Sequence, residues 1–162
     1  EKLMKEFNRK GLETVCLRYF NAYGPRQDPN SQYSGVITRF IGKMLNGESP
    51  LIFGDGNQTR DFVFVNDVVE ANILAAEKKG AAGEAFNIAT GVPLTINQLE
   101  GILSELTSHD IDPVYAEKRD GDIYDSYADV SKAKRLLGFE AAMPIAEGLG
   151  KTVEWQRGLQ GK

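Results

Sequence analysis

Short apolar runs alternate along this chain with segments whose apolar residues recur at helical spacing. Runs bounded by turn residues predict strands, and apolar positions three and four residues apart predict helices. Because strands that alternate with helices pack as mixed layers, the pattern predicts the α/β class. The predicted strands are 13–20, 51–53, 61–65, 85–89 and 113–116; the predicted helices are 1–9, about ten residues from Val36, one ending near Lys79, one carrying Leu99 to Leu106, 131–137 and 146–158.

Two of these helices carry signals at their N-termini. Asn66 or Asp67 can accept backbone N–H groups at the start of the helix that runs to about Lys79. The segment Thr95-Ile96-Asn97-Gln98 has the form of a capping box, in which side chain and backbone satisfy each other. We therefore expect both helices to be capped by their own side chains.

Composition and charge exclude several classes of function. The 162 residues are 41% hydrophobic and 26% charged, as in ordinary globular proteins, and the net charge of −4 argues against a broad nucleic-acid or anionic-membrane surface. No apolar run approaches the roughly 20 residues that span a bilayer. A single cysteine, Cys16, and a single histidine, His109, exclude the usual Cys/His metal site. We expect a cytoplasmic protein with neither membrane nor nucleic-acid partners.

The block from Arg18 to Arg26 predicts where a ligand would bind. It follows an apolar run and ends in the Gly24-Pro25 turn, so it is typical of a buried strand that opens into a loop. Open α/β sheets bind their ligands at such strand ends. Asn21 could present its amide to a polar ligand there, or it could simply form the turn.

Two arginines in separate polar segments are the other candidates for binding. If Arg60 and Arg119 converge, their guanidinium groups could bind a diphosphate through charge-assisted hydrogen bonds. The alternative is surface ion pairing with Asp61 and Asp120. The segment Gly54–Gly56 is followed by a strand, so it indicates a turn and not a phosphate cradle. Since no nucleophile–base pair is evident, the residues alone indicate a ligand-binding α/β unit.

Seven sequence blocks follow one another in order across almost the whole chain. Taken together, they resemble the C-terminal half of the extended short-chain dehydrogenase/reductase family, in its UDP-glucose 4-epimerase-like group of NAD-dependent nucleotide-sugar epimerases and dehydratases. Any one block is a weak signal, whereas seven in the right order are specific. The blocks are Leu17–Arg26, Ser34–Ile37, Ile52–Gly56, Thr59–Val68, Phe86–Ala89, Arg119–Asp122 and Ala128–Phe139.

The resemblance implies that the chain is the substrate-binding part of such a protein. Residues 1–34 would be a remnant helix and strand of a Rossmann NAD-binding domain with its crossover loop. Residues 35–162 would form a nucleotide-sugar-binding domain, with late Rossmann elements around 61–90. The family binds NAD mainly through an N-terminal half that these residues do not include, and its members commonly form homodimers. NAD and a UDP-sugar are therefore the expected partners, and the formation of a homodimer stays open.

The family's site residues carry over position by position. Phe20 would lie by the nicotinamide, and Asn21 would hydrogen-bond the substrate. Arg60 and Arg119 would bind the diphosphate, and Asp122 would accept hydrogen bonds from the ribose hydroxyls, as charged donors and carboxylates do. The residues expected to line the walls around the uracil are Val36, Ile37, Leu51 and Phe53.

The resemblance also bears on the sugar. Ser126 follows Asp122 by four residues, at a position that lines the pocket for sugar C2 in this family. A small residue there leaves room for an N-acetyl group, so UDP-N-acetylhexosamines are expected besides UDP-glucose and UDP-galactose. The alternative is that Tyr124 or Tyr127 fills the space.

The family's catalytic pair is Tyr-x-x-x-Lys, in which the lysine lowers the pKa of the tyrosine that acts as general acid and base. None of Tyr19, Tyr23 and Tyr33 has a lysine four residues later. We therefore assign no catalytic residue and predict that these 162 residues alone are inactive.

The resulting hypothesis is the substrate-binding portion of an NAD-dependent UDP-sugar 4-epimerase, an isomerase of carbohydrate metabolism. In the whole enzyme, hydride would leave C4 to NAD⁺, the 4-keto sugar would rotate, and hydride would return to its opposite face. One alternative is a nucleotide-sugar dehydratase, decarboxylase or reductase of the same family. Others are a non-catalytic nucleotide-sugar-binding module and a truncated product with no function by itself.

Overall fold

The computed structural model describes residues 1–29, 31 and 35–160. Of these, residue 160 is described by its backbone only. Tyr33 and Ser34, and with them part of the predicted crossover loop, lie outside the described residues. The mixed order of elements confirms the α/β class. The helices are α1 (Lys2–Arg9), α2 (Val36–Leu45), α3 (Val65–Glu77), α4 (Ile96–Thr107), α5 (Ser131–Leu137) and α6 (Ile145–Gln160); the strands are β1 (Cys16–Tyr19), β2 (Asn21–Tyr23), β3 (Leu51–Phe53), β4 (Thr59–Arg60), β5 (Phe62–Phe64), β6 (Ala85–Ile88), β7 (Leu94–Thr95), β8 (Val114–Ala116) and β9 (Asp125–Ser126).

The chain folds into two compact units, each drawn from three segments. The predicted late Rossmann elements around 61–90 belong to the same unit as the predicted remnant strand. The predicted division between residues 34 and 35 stays a prediction. The first unit comprises Glu1–Ala22, Asp61–Val92 and Tyr127–Met143, and the second comprises Tyr23–Arg60, Pro93–Ser126 and Pro144–Lys162.

A parallel pair of strands organises the first unit. β1 and β6 lie side by side, with Cys16 opposite Ala85 and Tyr19 opposite Ile88. α3 leads from β5 into β6, and α5 packs against both α3 and β6. Burial of apolar surface between these elements stabilises the pair, which has few residues of its own. The shared core consists of Ala71, Ala81, Phe86, Ile88, Ala133, Leu137 and Phe139, each 1% exposed or less.

The second unit combines helices with short strands. α2, α4 and α6 pack against one another because each carries an apolar stripe at helical spacing. β3 pairs with β8 in parallel, while β4 lies between the antiparallel β7 and the parallel β9. The helices therefore supply most of the core that supports the loops around β3 and β4. Its largest fully buried side chains are Ile37, Ile41, Ile52, Leu99, Leu103, Leu149 and Val153.

Most predicted helices and strands are present within two residues of their predicted bounds, but β1 begins three residues later than predicted, and the short strands β2, β4, β7 and β9 were not predicted. α2 has ten residues and α5 has the predicted bounds, whereas α6 begins one residue earlier and ends two residues later than expected. The capping box is confirmed, because the Thr95 hydroxyl accepts the Gln98 backbone N–H at 3.0 Å and the Gln98 Oε1 accepts the Thr95 backbone N–H at 2.9 Å. β5 is shorter than its predicted range by one residue at each end.

The predicted cap of α3 is wrong. The helix begins at Val65 with Phe64 as its N-cap, so neither Asn66 nor Asp67 occupies the capping position. Asp67 instead lies in the first turn and is buried, where the helix dipole favours a negative charge. Its carboxylate accepts backbone N–H groups from residues 142 and 143, at 3.1 and 3.3 Å. These donors are distant in sequence, so a local capping rule does not detect them.

Candidate functional site

In the first unit, the backbone that follows β1 carries two predicted site residues. The Phe20 N–H donates to the Ile88 carbonyl at 3.1 Å, and the Asn21 N–H donates to the Asp61 carbonyl at 3.0 Å. The Asn21 Nδ2 also donates to the Asp61 carbonyl, at 3.2 Å. Because this bond holds the NH₂ end of the amide, Oδ1 is the atom that remains to accept a hydrogen bond from a ligand. Phe20 and Asn21 are both half-buried, so each keeps some accessible surface.

The carboxylate of Asp61 connects this strand end to two loops. It is fully buried; Oδ1 accepts the Thr90 N–H and hydroxyl at 2.8 and 2.7 Å, and Oδ2 accepts the N–H groups of Gly91 and Ala128 at 2.9 and 3.3 Å. Such donors offset the cost of burying a charge. From the sequence, Asp61 is expected only as an ion-pair partner of Arg60, so this role is not predicted.

In the second unit, a cavity of about 240 Å³ lies beside the side chain of Phe53. Its lining combines a flat aromatic ring, an apolar side chain, a cation, carboxylates and a buried amide. Two predicted site residues, Phe53 and Asp122, contribute to it directly. The lining consists of Phe53, Gly54, Asp55, Gln58, Lys118, Asp122, Ile123 and Tyr124.

The structure brings Arg60 and Asp122 together in an ion pair. Arg60 Nη2 lies 2.6 Å from Asp122 Oδ1, and the two side chains are 16% and 30% exposed. Arg60 Nη1 also donates to the Thr59 carbonyl at 2.7 Å. The guanidinium is therefore held in place beside the cavity, and its planar group carries further N–H donors for a second anion. Asp122, expected to accept hydrogen bonds from a ribose, is the partner that orients it.

Arg119 stacks on the ring of Phe53. The guanidinium carbon lies 3.7 Å from the ring centroid, within the range of a cation–π contact. Arg119 is exposed and Phe53 is half-buried, so the cation covers one face of a ring that also lines the cavity. Two of the predicted binding residues thus contact each other directly.

The remaining predicted residues have different surroundings. Ser126 is half-buried in β9, the strand beside β4. Leu51 opens β3 and is 37% exposed, Val36 is half-buried at the first position of α2, and Ile37 is 2% exposed within the core. Val36, Ile37 and Leu51 are not among the residues that line the cavity. Their role as walls of a base site stays a prediction.

Gln58 is the buried lining residue that the sequence analysis missed. Its side chain is 7% exposed, and Nε2 donates to the Phe53 carbonyl at 2.7 Å. One signal for it was present in the sequence. Gln58 precedes Arg60 by two residues, and residues two apart on extended chain lie on the same face.

Asp55 and Tyr124, also missed, form a polar rim on the cavity. The Asn57 backbone N–H donates to Asp55 Oδ1 at 2.9 Å, and this bond lowers the pKa of Asp55 below its usual value. The Tyr124 hydroxyl donates to Asp55 Oδ2 at 3.2 Å. Desolvation raises the pKa of Tyr124, and the charge of Asp55 raises it further. Tyr124 is therefore a neutral hydrogen-bond donor near pH 7 and not a proton acceptor.

The turn that supports this rim requires a glycine. Gly56 has φ +74°, and a Cβ there would overlap the side-chain amide of Asn97. Because Asn97 Nδ2 donates to the Asp55 carbonyl at 3.0 Å, displacing that amide would loosen the turn. We expect Gly56→Ala to lower the free energy of unfolding by about 2–3 kcal/mol, measured by urea denaturation.

Gly47→Ala is the matched control, with φ +72° and, among the described residues, no atom near the added Cβ. We expect Gly47→Ala to lower the free energy of unfolding by about 1 kcal/mol, which is the cost of a side chain at a positive φ without any steric overlap. Equal losses for the two variants would contradict the role given to Asn97.

Two other kinds of feature are not formed by the described part of the chain. It contains no group of three or more His, Cys, Asp or Glu side chains that could hold a metal ion. Nor, in the same residues, is any helix long and apolar enough to cross a membrane.

The comparison with protein families agrees with the fold. The family described as "NAD dependent epimerase/dehydratase family" matches residues 1–89, more than half of the 162. The parallel β1–β6 pair, the strand end at Asn21 and the start of α3 all lie in the matched region. The chain belongs to this family.

Individual relatives are named as sugar-nucleotide epimerases. The chain is 42% identical to a putative UDP-glucose 4-epimerase of Methanocaldococcus jannaschii, over 97% of this chain and 50% of that protein. It resembles the structure of a Thermotoga maritima UDP-glucose 4-epimerase with UDP-glucose at a TM-score of 0.93 and 47% identity, over 98% of this chain and 51% of that one. For a Methanobrevibacter ruminantium UDP-N-acetylglucosamine 4-epimerase in complex with UDP-N-acetylmuramic acid, the TM-score is 0.92 and the identity 44%, over the same two shares. The chain thus spans about half the length of the relatives it matches.

Proposed function

We propose that this chain forms the UDP-sugar-binding part of an NAD-dependent UDP-sugar 4-epimerase. The observation that carries the proposal is the Arg60–Asp122 ion pair, with its 2.6 Å contact, beside a cavity walled by Phe53. A nucleoside diphosphate presents an anion, a diol and a flat base. Arginine, carboxylate and aromatic side chains are the groups that bind these three features.

Each residue of this unit then has a distinct task. Arg60, oriented by Asp122, donates hydrogen bonds to the diphosphate through N–H groups that the ion pair does not use. Arg119 adds a second cation from the face of the Phe53 ring. The carboxylate of Asp122 accepts hydrogen bonds from the ribose hydroxyls. Held in this way, the UDP anchors the sugar while the sugar reacts.

In the first unit, Phe20 and Asn21 suit contacts with a nicotinamide ring and with a sugar hydroxyl. Asn21 Oδ1 remains to accept a sugar hydroxyl, because Nδ2 is held by the Asp61 carbonyl at 3.2 Å. Phe20 follows a parallel strand directly and is half-buried, a position and a surface that suit one side of a nicotinamide ring. When bound, NAD supplies reversible hydride transfer at the sugar carbon.

Three narrower statements belong to the same proposal. The 162 residues contain no Tyr-x-x-x-Lys, so they bind UDP-sugar without converting it. Ser126 leaves room for an N-acetyl group, in line with the UDP-N-acetylglucosamine 4-epimerase among the similar structures. We also propose a homodimer, which is common in the family, and a cytoplasmic location, which the single cysteine favours.

Titration calorimetry of the purified chain tests the proposal. We expect UDP to bind at least about tenfold more tightly than uridine, because only UDP has the diphosphate that the arginines hold. ADP has the same diphosphate with a different base and should bind more weakly than UDP. A chain incubated with UDP-galactose and NAD should yield no UDP-glucose.

Each arm of this experiment can contradict the proposal. Absence of UDP binding by a folded chain would contradict the binding role. Equal affinities for UDP and uridine would contradict the arginine contacts. Turnover of UDP-galactose would contradict the proposal that these 162 residues do not convert the sugar.

A further inference from the structure

One edge of the β1–β6 sheet in the first unit is open. Among the described residues, β1 pairs with β6 and with no other strand. The Cys16 N–H donates to the Glu84 carbonyl at 3.0 Å, so the even-numbered residues of β1 bond to β6. Because the direction of backbone polar groups alternates along a strand, the N–H and C=O groups of Leu17 and Tyr19 point away from β6. A further strand could pair with them.

The strand has none of the features that usually protect an edge. Natural edge strands are shielded by lysines, prolines or bulges. β1 contains no lysine and no proline, and its register with β6 is regular. Its one charged residue, Arg18, forms an ion pair with Glu1 at 2.7 Å. An edge of this kind is a site for strand addition.

A groove of about 810 Å³ runs between this edge and the second half of α3. The Tyr19 hydroxyl donates to Asn72 Oδ1 at 2.9 Å, so its ring lies on the α3 side of the strand. The charged lining residues lie before Val15 or after Ala76 in the chain, so none interrupts the alternate apolar positions of β1. Those positions are Val15, Leu17 and Tyr19.

The wall that α3 contributes continues into an exposed apolar surface. Val69 is 54% exposed and Ile73 is 45% exposed. With Asn72 and Ala76, which line the groove, they follow the spacing of a single helical stripe. The first unit thus has a free strand edge and an unpartnered helix stripe side by side.

We propose that a second copy of this chain covers both surfaces, with the two β1 strands antiparallel and the two α3 helices side by side. Leu17 lies opposite the partner's Leu17, and Val15 lies opposite the partner's Tyr19. The twofold axis is perpendicular to the sheet, so both α3 helices stay on one face. The interface rests on the homodimer of the proposed function, for which it supplies the contact surface.

A second copy fits both surfaces better than an extended peptide does. α3 shares one core with residues of both β1 and β6. Strands lie about 4.8 Å apart, so two such pairs side by side would bring the helices to roughly 10 Å, the usual packing distance of helices. A peptide would fill the strand edge but leave Val69 and Ile73 exposed.

The charges suit this pairing as well. Antiparallel helices place the negative C-terminal end of each α3 beside the positive N-terminal end of the other. Arg18 lies opposite the partner's Cys16. A shift of two residues would instead place it opposite the partner's Arg18, and like charges in that position are unfavourable. The register centred on Leu17 is therefore the one expected.

Analytical ultracentrifugation of the purified chain tests the interface. We expect a reversible monomer–dimer equilibrium at micromolar concentrations. Leu17→Lys should weaken dimerisation at least about tenfold, because it places like charges opposite each other. Leu136→Lys is the matched control, since it makes the same change at a position of α5 that is 39% exposed and outside both surfaces. A chain that stays monomeric, or equal effects of the two variants, would overturn the proposal.

A substitution on α3 separates a second copy from strand pairing alone. Ile73→Lys should also weaken dimerisation at least about tenfold, because the copy buries this side chain against its own α3. Circular dichroism shows that each variant is folded. An unchanged equilibrium in Ile73→Lys would overturn the placement of the helices.

Hydrogen exchange of the unaltered chain tests the strand pairing without any substitution. The amides of Leu17 and Tyr19 should exchange at least about tenfold more slowly where the dimer forms than in dilute solution. The amides of β8, in the second unit, should not change. Equal exchange of Leu17 and Tyr19 in a dimeric sample would overturn the interface. Binding of UDP is measured separately by calorimetry, so a failure here is distinguishable from a failure of the proposed function.

Discussion

Replacing Asp61 with alanine is expected to lower the free energy of unfolding by about 3–5 kcal/mol, which is a large share of the stability of an ordinary domain. The carboxylate is fully buried and accepts hydrogen bonds from two backbone N–H groups and one hydroxyl at 2.7–2.9 Å, with a third N–H at 3.3 Å. Alanine would leave those donors buried without an acceptor. Urea denaturation followed by circular dichroism measures the loss.

Two further substitutions separate hydrogen bonding from charge. Asp61→Asn keeps one oxygen but turns an NH₂ group toward the remaining donors. We therefore expect it to lower the free energy of unfolding by about 2–3 kcal/mol. Asp112→Asn makes the same chemical change at an exposed position, so it should lower the free energy of unfolding by less than about 0.5 kcal/mol. If Asp61→Ala were as stable as the Asp112 variant, the carboxylate would not hold the loops as described.

Replacing Arg60 with methionine is expected to weaken UDP binding by at least about 30-fold, or roughly 2 kcal/mol. Methionine keeps much of the aliphatic length but removes the charge and every N–H donor. It also leaves Asp122 without the partner that lies 2.6 Å away, so a carboxylate would face the diphosphate with no cation between them. Calorimetry with UDP measures the affinity.

The control for this prediction must exclude a general loss of structure. Uridine has no phosphate, so Arg60→Met should change its affinity by less than about threefold. Arg157→Met removes an arginine from an exposed position of α6 and should leave UDP affinity unchanged. An equal loss for UDP and uridine would mean that Arg60 acts by holding the loop and not by contacting phosphate.

Features that depend on neighbours in sequence were predictable. The ten residues of α2, the bounds of α5 and the capping box of Thr95 and Gln98 follow from periodicity and from contacts within one turn of helix. The α/β class follows from the order of such elements. Arg60 and Asp122 were both singled out before their contact was known, because the matching blocks marked each of them separately.

Features that depend on the tertiary fold were not predictable. Asp67 was expected to cap α3, yet it accepts N–H groups from residues 142 and 143. Gln58 is marked in its own segment only by lying two residues before Arg60, and its burial beside Phe53 exists only once β3, β4 and the loop after β8 come together. Each case involves segments that are far apart in the chain, and neither hydrophobic periodicity nor a short motif predicts how such segments meet.

The sequence by itself determined the α/β class, most of the element boundaries and the family, because these depend on local periodicity, local caps and the order of short blocks. Only the tertiary structure decided which polar groups meet. It paired Arg60 with Asp122, stacked Arg119 on Phe53, surrounded Asp61 with donors and, among the described residues, left Gln58 Oε1 without a donor. The physical reason is that burial obliges each polar group to find a partner, and the fold alone determines which partners lie within about 3 Å.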